Sequence, residues 1–210
     1  MRGVLLDIDG TLLDSNDAHA QSWVEVFPRY GFEIGFERVR PLIGKGGDKL
    51  LPELTGIDAQ SPLGKKMSDE RTRLFLEKYL PNLRPTRGAR LLLEKLKGRG
   101  AELVVATSAK EKELEALLKQ AQVADLIDCG TSADDGASKP DPDIVRSALE
   151  KARLAPDEAM MVGDTPYDIE AAARSGVKTI ALRCGGWWDD AALAGAVAIY
   201  DDPAALAADL

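Results

Sequence analysis

The sequence predicts an α/β fold in which a Rossmann-like parallel sheet core carries helices on both faces and has an α-helical cap inserted into it. Two observations support the core. Short apolar runs alternate with helical patterns, and these runs lack the polar–apolar alternation of strands with one face in water. A third observation supports the cap: residues 15–83 contain helical patterns with no clear strand between them. We therefore expect a core formed by residues 1–14 and 84–210 and a cap formed by residues 15–83.

The core elements follow one another as strand, polar turn and helix. Residues 4–6 predict the first strand, and ARLLLEKLKGRG predicts a helix that ends at its glycines. ELVVATSA and DLIDCG predict the next two strands, with the helix KEKELEALLKQA between them. The helix DIVRSALEKARL, the strand AMMVGD, the helix TPYDIEAAARSG and the strand VKTIALR come next, before a last short strand and helix in VAIYDDPAALAADL. This order predicts parallel strands joined by helical crossovers.

The segment from 15 to 83 predicts three helices, at roughly 15–30, 36–55 and 61–80. The glycine-rich stretch IGKGGDK and Pro62 interrupt the pattern. Glycines on both sides of Lys45 allow a tight turn, so Lys45 is a candidate to reach toward a substrate, and Arg40, Asp48 and Lys49 are weaker candidates.

Composition excludes several classes of protein. The 210 residues are 45% hydrophobic and 30% charged, and the formal net charge of −8 disfavours a nucleic-acid partner. The longest apolar run is far shorter than the roughly 20 residues that span a bilayer, and the N-terminus does not follow the pattern of a secretory signal. We expect a cytoplasmic protein without a membrane partner, either a monomer or a homodimer.

Histidine and cysteine contribute little to the predicted chemistry. The single histidine, His19, lies near the start of the first cap helix, where we expect a structural role. Cys129 and Cys184 have no CxxC spacing and are expected to be free thiols. Of the adjacent Trp187 and Trp188, one is expected to pack on the core and the other to shield the site or form a contact surface. The chemistry must therefore rest on carboxylates, hydroxyls and lysines.

Four polar motifs fall at predicted strand ends or helix starts. They are DIDGT at 7–11, VVATS ending at Ser108, SKPDP at 138–142 and VGDTPYD at 162–168. Ligands of parallel α/β sheets bind at the carboxyl ends of the strands, so these motifs are expected to meet on one rim. Carboxylates suit Mg²⁺, and hydroxyls, helix N-termini and a lysine suit a phosphate group. One aspartate can attack phosphorus, and a second can transfer protons.

These motifs resemble motifs I to IV of the haloacid dehalogenase superfamily, in particular its first subclass with an α-helical cap, which includes phosphoglycolate phosphatases and β-phosphoglucomutases. The resemblance spans essentially the full chain. It implies a Mg²⁺-dependent phosphatase acting on a small phosphorylated metabolite, such as phosphoglycolate or a sugar phosphate, through an aspartyl-phosphate intermediate. It implies that Asp7 is the nucleophile and a metal ligand, and that Asp9 is the general acid/base with its backbone carbonyl on the metal. Lys139 would be the catalytic lysine, Thr107 and Ser108 would be phosphoryl ligands, and Lys45 would contact the leaving group. Asp164 would be a metal ligand, and Asp168 would orient the metal's surroundings and Lys139.

Several alternatives stay open at this point. Asp9 favours phosphoryl transfer over carbon–halogen cleavage, because a halide needs no proton when it leaves. A β-phosphoglucomutase-like phosphomutase is disfavoured, since IGKGGDK stands where those caps carry an arginine-glycine-serine-type loop. A pyrophosphatase would use the same core, and phosphonate cleavage would need Lys45 as a Schiff-base lysine. A non-enzymatic phospho-signalling or binding module is the alternative from another class.

Overall fold

The computed structural model describes residues 2–210 and contains one six-stranded parallel sheet. The strands lie in the order β3-β2-β1-β4-β5-β6, and all five neighbouring pairs are parallel. Their bounds are β1 Gly3–Leu6, β2 Glu102–Ala106, β3 Cys129–Thr131, β4 Ala159–Gly163, β5 Lys178–Leu182 and β6 Ala198–Tyr200. The predicted Rossmann-like core is therefore confirmed.

The strand order reverses between β1 and β4, and this reversal positions the site. Residue Leu6 of β1 is in register with Val162 of β4, and the backbone N–H of Asp7 donates to the carbonyl of Val162 over 3.0 Å. The chain turns away from the sheet after each of these strands. A crevice consequently opens at their carboxyl ends, where α/β sheets of this topology bind ligands.

Helices cover both faces of the sheet. The core helices are α5 Ala89–Gly98, α6 Glu111–Gln120, α7 Asp143–Ala152, α8 Pro166–Ala173 and α9 Pro203–Asp209. Leu6 packs with apolar residues of α5, α6 and α9 on one face, whereas Leu5 packs with those of α7 and α8 on the other. Successive strand residues point to opposite faces, so both faces of β1 are buried and its sequence is apolar throughout.

Between β1 and α5 the chain forms helices and turns, and none of residues 7–88, all of which are described, belongs to a strand of the sheet. The helices are α1 Asn16–Val26, α2 Phe36–Val39, α3 Gly47–Thr55 and α4 Pro62–Leu74, and α4 continues into a wider π-helical turn, Phe75–Tyr79. Their buried apolar side chains, among them Trp23, Phe27 and Met67, form a cluster of their own. The domain boundaries expected near residues 14 and 83 stay a prediction.

Three predicted elements differ in extent from the observed ones. The third strand starts at Cys129 instead of 125, because the Asp128 carboxylate accepts the N–H of Leu103 and ends the preceding turn. The predicted helix 36–55 is divided into α2 and α3 around Gly44, whose φ of +107° no helix allows. Pro62 begins α4 and does not interrupt a helix, since Ser61 caps it by accepting the N–H of Gly64.

Within residues 2–210, no helix has the length and apolar character needed to cross a membrane.

Candidate active site

The carboxyl ends of β1 and β4 bring three buried carboxyl groups together. Asp7 follows β1, Asp164 follows β4, and Asp168 lies in the first turn of α8. Each offers an oxygen atom, and these three oxygens all lie within 4.8 Å of one another. Carboxylate oxygens at such separations are a donor set that suits a hard divalent cation.

The electrostatics of this cluster also favour a bound cation. Burial raises the pKa of Asp7 well above its usual value; Lys139 opposes the rise, whereas Asp168 and Asp164 add to it. Burial likewise raises the pKa of Asp164 to about 7, and the charge of Asp168 adds to the effect. A single lysine faces three carboxyl groups here, so the negative charge is unbalanced, and a bound cation would relieve it.

Lys139 is the lysine in question, and it bridges two of the three carboxylates. Its Nζ lies 2.6 Å from Oδ1 of Asp7 and 2.6 Å from Oδ1 of Asp168, and only 1% of its side chain is exposed. Burial by itself would lower the pKa of Lys139, but Asp168 and Asp7 outweigh it and raise the pKa, so the ammonium stays charged. Asp168 therefore contacts Lys139, and its predicted role in orienting Lys139 stays a prediction.

Hydrogen bonds fix the carboxylates of Asp164 and Asp168. Oδ1 of Asp164 accepts from Thr11 Oγ1 over 3.1 Å, and Oδ2 accepts from Asn16 Nδ2 over 2.8 Å. Asp168 and Thr165 cap α8 reciprocally, each accepting a hydrogen bond from the other's backbone N–H. Gly10 must lack a side chain, because its φ is +78° and a Cβ there would lie 2.3 Å from Oδ2 of Asp164.

Asp9 lies apart from the three-carboxylate cluster. Its Oδ1 accepts from Ser15 Oγ over 2.5 Å and from His19 Nε2 over 2.7 Å. Burial by itself would raise the pKa of Asp9, but His19, Ser15 and Arg71 outweigh it and hold the pKa below its usual value. The carboxyl group of Asp168, rather than that of Asp9, is the third of the cluster; the predicted metal contact of Asp9 through its backbone carbonyl stays a prediction.

The structure places His19 in the wall of the site and in contact with Asp9, whereas the sequence predicted only a structural role for it. Nη2 of Arg71 in α4 contacts its Nδ1. Arginine can only donate, so Nδ1 accepts and the proton must be on Nε2, which donates to Asp9. Arg71 in turn donates to Ser22 Oγ over 3.1 Å and to Glu113 Oε1 over 2.6 Å, and Glu113 is buried in the first turn of α6. This chain of contacts could not be recognised in the sequence, because Arg71 and Glu113 lie 42 residues apart.

A cavity of about 70 Å³, called the inner cavity below, lies between these groups; its wall includes Asp7, Asp9, Arg71 and Thr107. Thr107 follows β2 and is buried, and its Oγ1 accepts the backbone N–H of Ala109 over 3.0 Å. Ser108 also lines the inner cavity, and its Oγ accepts the backbone N–H of Lys139 over 3.3 Å. Both predicted phosphoryl-binding hydroxyls therefore lie at the same cavity as Asp7 and Asp9.

Lys45 also lines the inner cavity, but its ammonium group is engaged elsewhere. Nζ donates to Oε2 of Glu53 over 2.6 Å and lies 5.1 Å from the centre of the Tyr167 ring. Its predicted contact with a leaving group stays a prediction.

Arg40 forms a second connection between the cap helices and the three-carboxylate cluster. Its side chain is 2% exposed; Nε donates to Asp17 over 2.5 Å, and Nη2 donates to the carbonyl of Gly185. That carbonyl also accepts from Asn16 Nδ2 over 3.3 Å, the same group that holds Asp164. The sequence-based reasoning named Arg40 only as a weak substrate candidate and missed Asn16.

The two tryptophans take different positions, as predicted. Trp188 packs on the small cluster of Ile169, Ala181 and Leu193, whereas Trp187 is 36% exposed and stacks against the Arg40 guanidinium at 5.6 Å. Cys129 and Cys184 are both free thiols, as expected.

Comparison with known proteins agrees with this geometry. Residues 4–182 match the haloacid dehalogenase-like hydrolase family. A phosphoglycolate phosphatase of Aquifex aeolicus is 32% identical over 193 residues, covering 89% of this chain and 86% of its own, and a phosphorylated carbohydrates phosphatase of Thermotoga maritima is 28% identical over 185 residues, covering 86% and 84%. The crystal structure of a hydrolase from Pseudomonas syringae superimposes with a TM-score of 0.91 at 26% identity, covering 100% of this chain and 97% of that one.

The fold and the four motifs at its carboxyl rim thus define an α/β hydrolytic enzyme with a helical insertion. The chain belongs to the haloacid dehalogenase-like hydrolase family.

Proposed function

We propose that this protein is a Mg²⁺-dependent phosphatase that hydrolyses a small phosphomonoester, of the phosphoglycolate or sugar-phosphate type, through an aspartyl-phosphate on Asp7. One observation carries the proposal: Asp7 and Asp9 line the same inner cavity, and Nζ of Lys139 donates a hydrogen bond to Oδ1 of Asp7. The family and the two related phosphatases support the same reaction class.

The proposed metal ligands are the carboxylates of Asp7 and Asp164 and the backbone carbonyl of Asp9. When bound there, Mg²⁺ would neutralise charge on the phosphoryl oxygens and on the carboxylate cluster. Asp168 would complete the surroundings of the metal while it positions Lys139 over 2.6 Å. Thr11 and Asn16 would keep both Asp164 oxygens in place through their hydrogen bonds.

In the first step, an Asp7 oxygen would form a bond to phosphorus as the bond between phosphorus and the ester oxygen breaks. The departing oxygen takes its proton from the carboxyl group of Asp9 and leaves as an alcohol. Lys139, Thr107 and the Ser108 region would bind the phosphoryl oxygens, because charge accumulates there in the transition state.

In the second step, water would attack the phosphorus of the aspartyl-phosphate. Asp9, now a carboxylate, takes the water proton, and the bond between phosphorus and the Asp7 oxygen breaks to release inorganic phosphate and restore Asp7. The low pKa that His19, Ser15 and Arg71 impose on Asp9 suits this second role, in which the carboxylate form is needed.

The experiment is phosphate release from a panel of two-carbon, sugar and aromatic phosphate esters, with Mg²⁺ or with a chelator, for the wild type and for Asp7→Asn. Asp157→Asn is a matched control, because Asp157 is exposed and precedes β4 at the opposite end of the sheet. We expect Mg²⁺-dependent release that falls by about 1,000-fold or more in Asp7→Asn and is unchanged in the control.

Release that persists in Asp7→Asn would overturn the aspartyl-phosphate mechanism. Conversion of β-glucose 1-phosphate to glucose 6-phosphate without net phosphate release would instead indicate a phosphomutase. Binding of esters with no turnover of any of them would indicate a non-enzymatic module.

A further inference from the structure

A second, larger cavity adjoins the inner one between the cap helices and the core. This outer cavity has a volume of about 530 Å³ and lies between α4 and the core segments 108–112 and 133–137. The two cavities share five wall residues, which are Gly47, Ser68, Thr72, Ser108 and Lys110. They are therefore neighbouring compartments of one cleft.

The inner cavity has room for little more than a phosphoryl group. A buried water needs roughly 10–15 Å³ of such space, so the 70 Å³ of the inner cavity correspond to on the order of five water-sized groups. A phosphate group has five non-hydrogen atoms. The outer cavity, by contrast, falls in the range of about 300–1,000 Å³ that is typical of small-molecule sites.

The glycine-rich segment 44–47, which leads into α3, contributes Gly47 to the walls of both cavities. A Cβ at Gly44 would lie 2.9 Å from a Thr165 carbon, and one at Gly46 would lie 2.0 Å from Ser138 Oγ, so both glycines pack tightly against the core. Gly47 differs, because the nearest atoms to a Cβ added there would belong to Trp23 at 3.5 Å and to Ser68 at 3.9 Å.

Those two distances are ordinary van der Waals contacts, and the backbone at Gly47 does not have the positive φ that excludes other residues. Trp23 lines the inner cavity, and Ser68 and Gly47 line both. A side chain at position 47 would therefore fit the backbone and project where the two cavities meet.

The wall of the outer cavity suits hydroxyl groups better than a second phosphate. Its charged residues are three lysines and three aspartates, which leave no excess positive charge; Lys110 pairs with Asp69 at 3.2 Å. Gln60, Ser68, Thr72 and Ser108 add neutral donors and acceptors. Sugar hydroxyls both donate and accept, and so match such a mixed wall.

We propose that the leaving group passes Gly47 into the outer cavity and is a hydroxylated chain or ring of more than two carbons, and that the missing side chain at Gly47 sets its permitted length. This inference rests on the proposed phosphatase function. It selects the carbohydrate-type substrates over phosphoglycolate as the class that fills the cleft.

The test compares kcat/KM for phosphoglycolate, glucose 6-phosphate and fructose 1,6-bisphosphate in the wild type, Gly47→Ser, Gly47→Leu and Gly98→Leu. Gly98→Leu is the matched control, because Gly98 lies at the end of α5 with nothing within 4 Å of an added Cβ. Circular dichroism and release from acetyl phosphate check each variant's fold and its inner cavity, and Gly47→Ser covers the case in which Gly47→Leu does not fold.

We expect the wild type to prefer glucose 6-phosphate over phosphoglycolate by at least about 10-fold. We expect Gly47→Leu to lower kcat/KM for glucose 6-phosphate at least about 10-fold more than it lowers acetyl phosphate turnover, with Gly47→Ser intermediate. A wild type that prefers phosphoglycolate, or a loss in Gly47→Leu that is equal for all substrates, overturns the proposal. A wild type that prefers fructose 1,6-bisphosphate overturns the inference that the leaving group is uncharged. A wild type that releases phosphate from none of these compounds overturns the proposed function itself.

Discussion

Nε2 of His19 lies 2.7 Å from Oδ1 of Asp9, so the single histidine of the chain contacts the carboxyl group proposed as general acid and base. The contact joins α1 of the cap to the loop after β1. His19 also stacks on Phe75, with ring centroids 3.9 Å apart, which fixes the plane of the imidazole. Its orientation is therefore set by packing as well as by hydrogen bonds.

His19→Phe retains an aromatic ring over Phe75 but removes the hydrogen bond to Asp9. We expect kcat to fall by about 10- to 100-fold with a smaller change in KM, because Asp9 loses the group that orients it. Since His19 helps to lower the pKa of Asp9, its removal should raise that pKa and move the acidic limb of the kcat–pH profile to higher pH. An unchanged pH profile would show that His19 has only a structural role.

Arg71 and Glu113 form a buried ion pair between the cap and the core. Glu113→Gln leaves the Arg71 guanidinium without its charged partner, and we expect the free energy of unfolding to fall by about 3 kcal/mol. The exposed pair between Lys110 and Asp69 also joins core to cap, and Asp69→Asn should cost less than about 1 kcal/mol. Urea unfolding of both variants measures the difference; equal effects would contradict the importance of burial.

Asp164 makes the stability of the metal-free protein dependent on pH. Its pKa is raised to about 7 in the folded state, so the protonated form stabilises the fold at low pH. That contribution is complete below pH 4 and is lost as the pH rises through 7. The side chain at position 164 stays neutral in Asp164→Asn. In chelator, the free energy of unfolding of this variant should therefore equal that of the wild type at pH 4 and exceed it by a few kcal/mol at pH 8.

The same comparison in the presence of Mg²⁺ should reverse the order at pH 8. A cation held by the Asp164 carboxylate would stabilise the wild type, and we expect the Asn variant to bind it less well. Calorimetry with and without chelator tests both signs. If the difference in stability between the wild type and Asp164→Asn in chelator is the same at pH 4 and at pH 8, the raised pKa of Asp164 is contradicted.

Arg40 acts on Asp164 indirectly, through the Gly185 carbonyl and the Asn16 amide. Arg40→Met should therefore weaken Mg²⁺ binding by about 10-fold, a change of the size seen when outer-shell partners of metal ligands are removed. Arg38→Met is the control, since Arg38 is exposed on α2, two residues before Arg40. Titration calorimetry of Mg²⁺ binding measures the effect; equal affinities in the two variants would show that the contact is only structural.

The sequence predicted the carboxyl rim well because its residues follow directly from strand ends. Asp7, Thr107 and Asp164 each come after an apolar run, and parallel strands bring their carboxyl ends together whatever the details of packing. Lys139 is on a loop, and its position was predicted only through the resemblance of its motif.

Residues whose place depends on tertiary packing could not be predicted in this way. His19, Arg71 and Glu113 lie on three different helices, and each looks like an ordinary polar residue in its own segment. Their contacts arise only when α1 packs against α4 and Arg71 of α4 reaches Glu113 of α6. The start of β3 was misplaced for a similar reason, since a hydrogen bond from the backbone N–H of Leu103 to the Asp128 carboxylate fixes it.

The position of Asn16 at the first turn of α1 has a consequence for protein engineering. Asn16 belongs to the helical insertion by sequence, yet its amide holds the carboxylate of Asp164 in the core. Chimeras that graft a foreign cap onto this core should therefore join the two sequences after His19. The chimera then keeps the contacts of Asn16 with Asp164 and of His19 with Asp9. A junction placed before Asn16 would transplant the selectivity of the donor and discard part of the recipient's own catalytic apparatus.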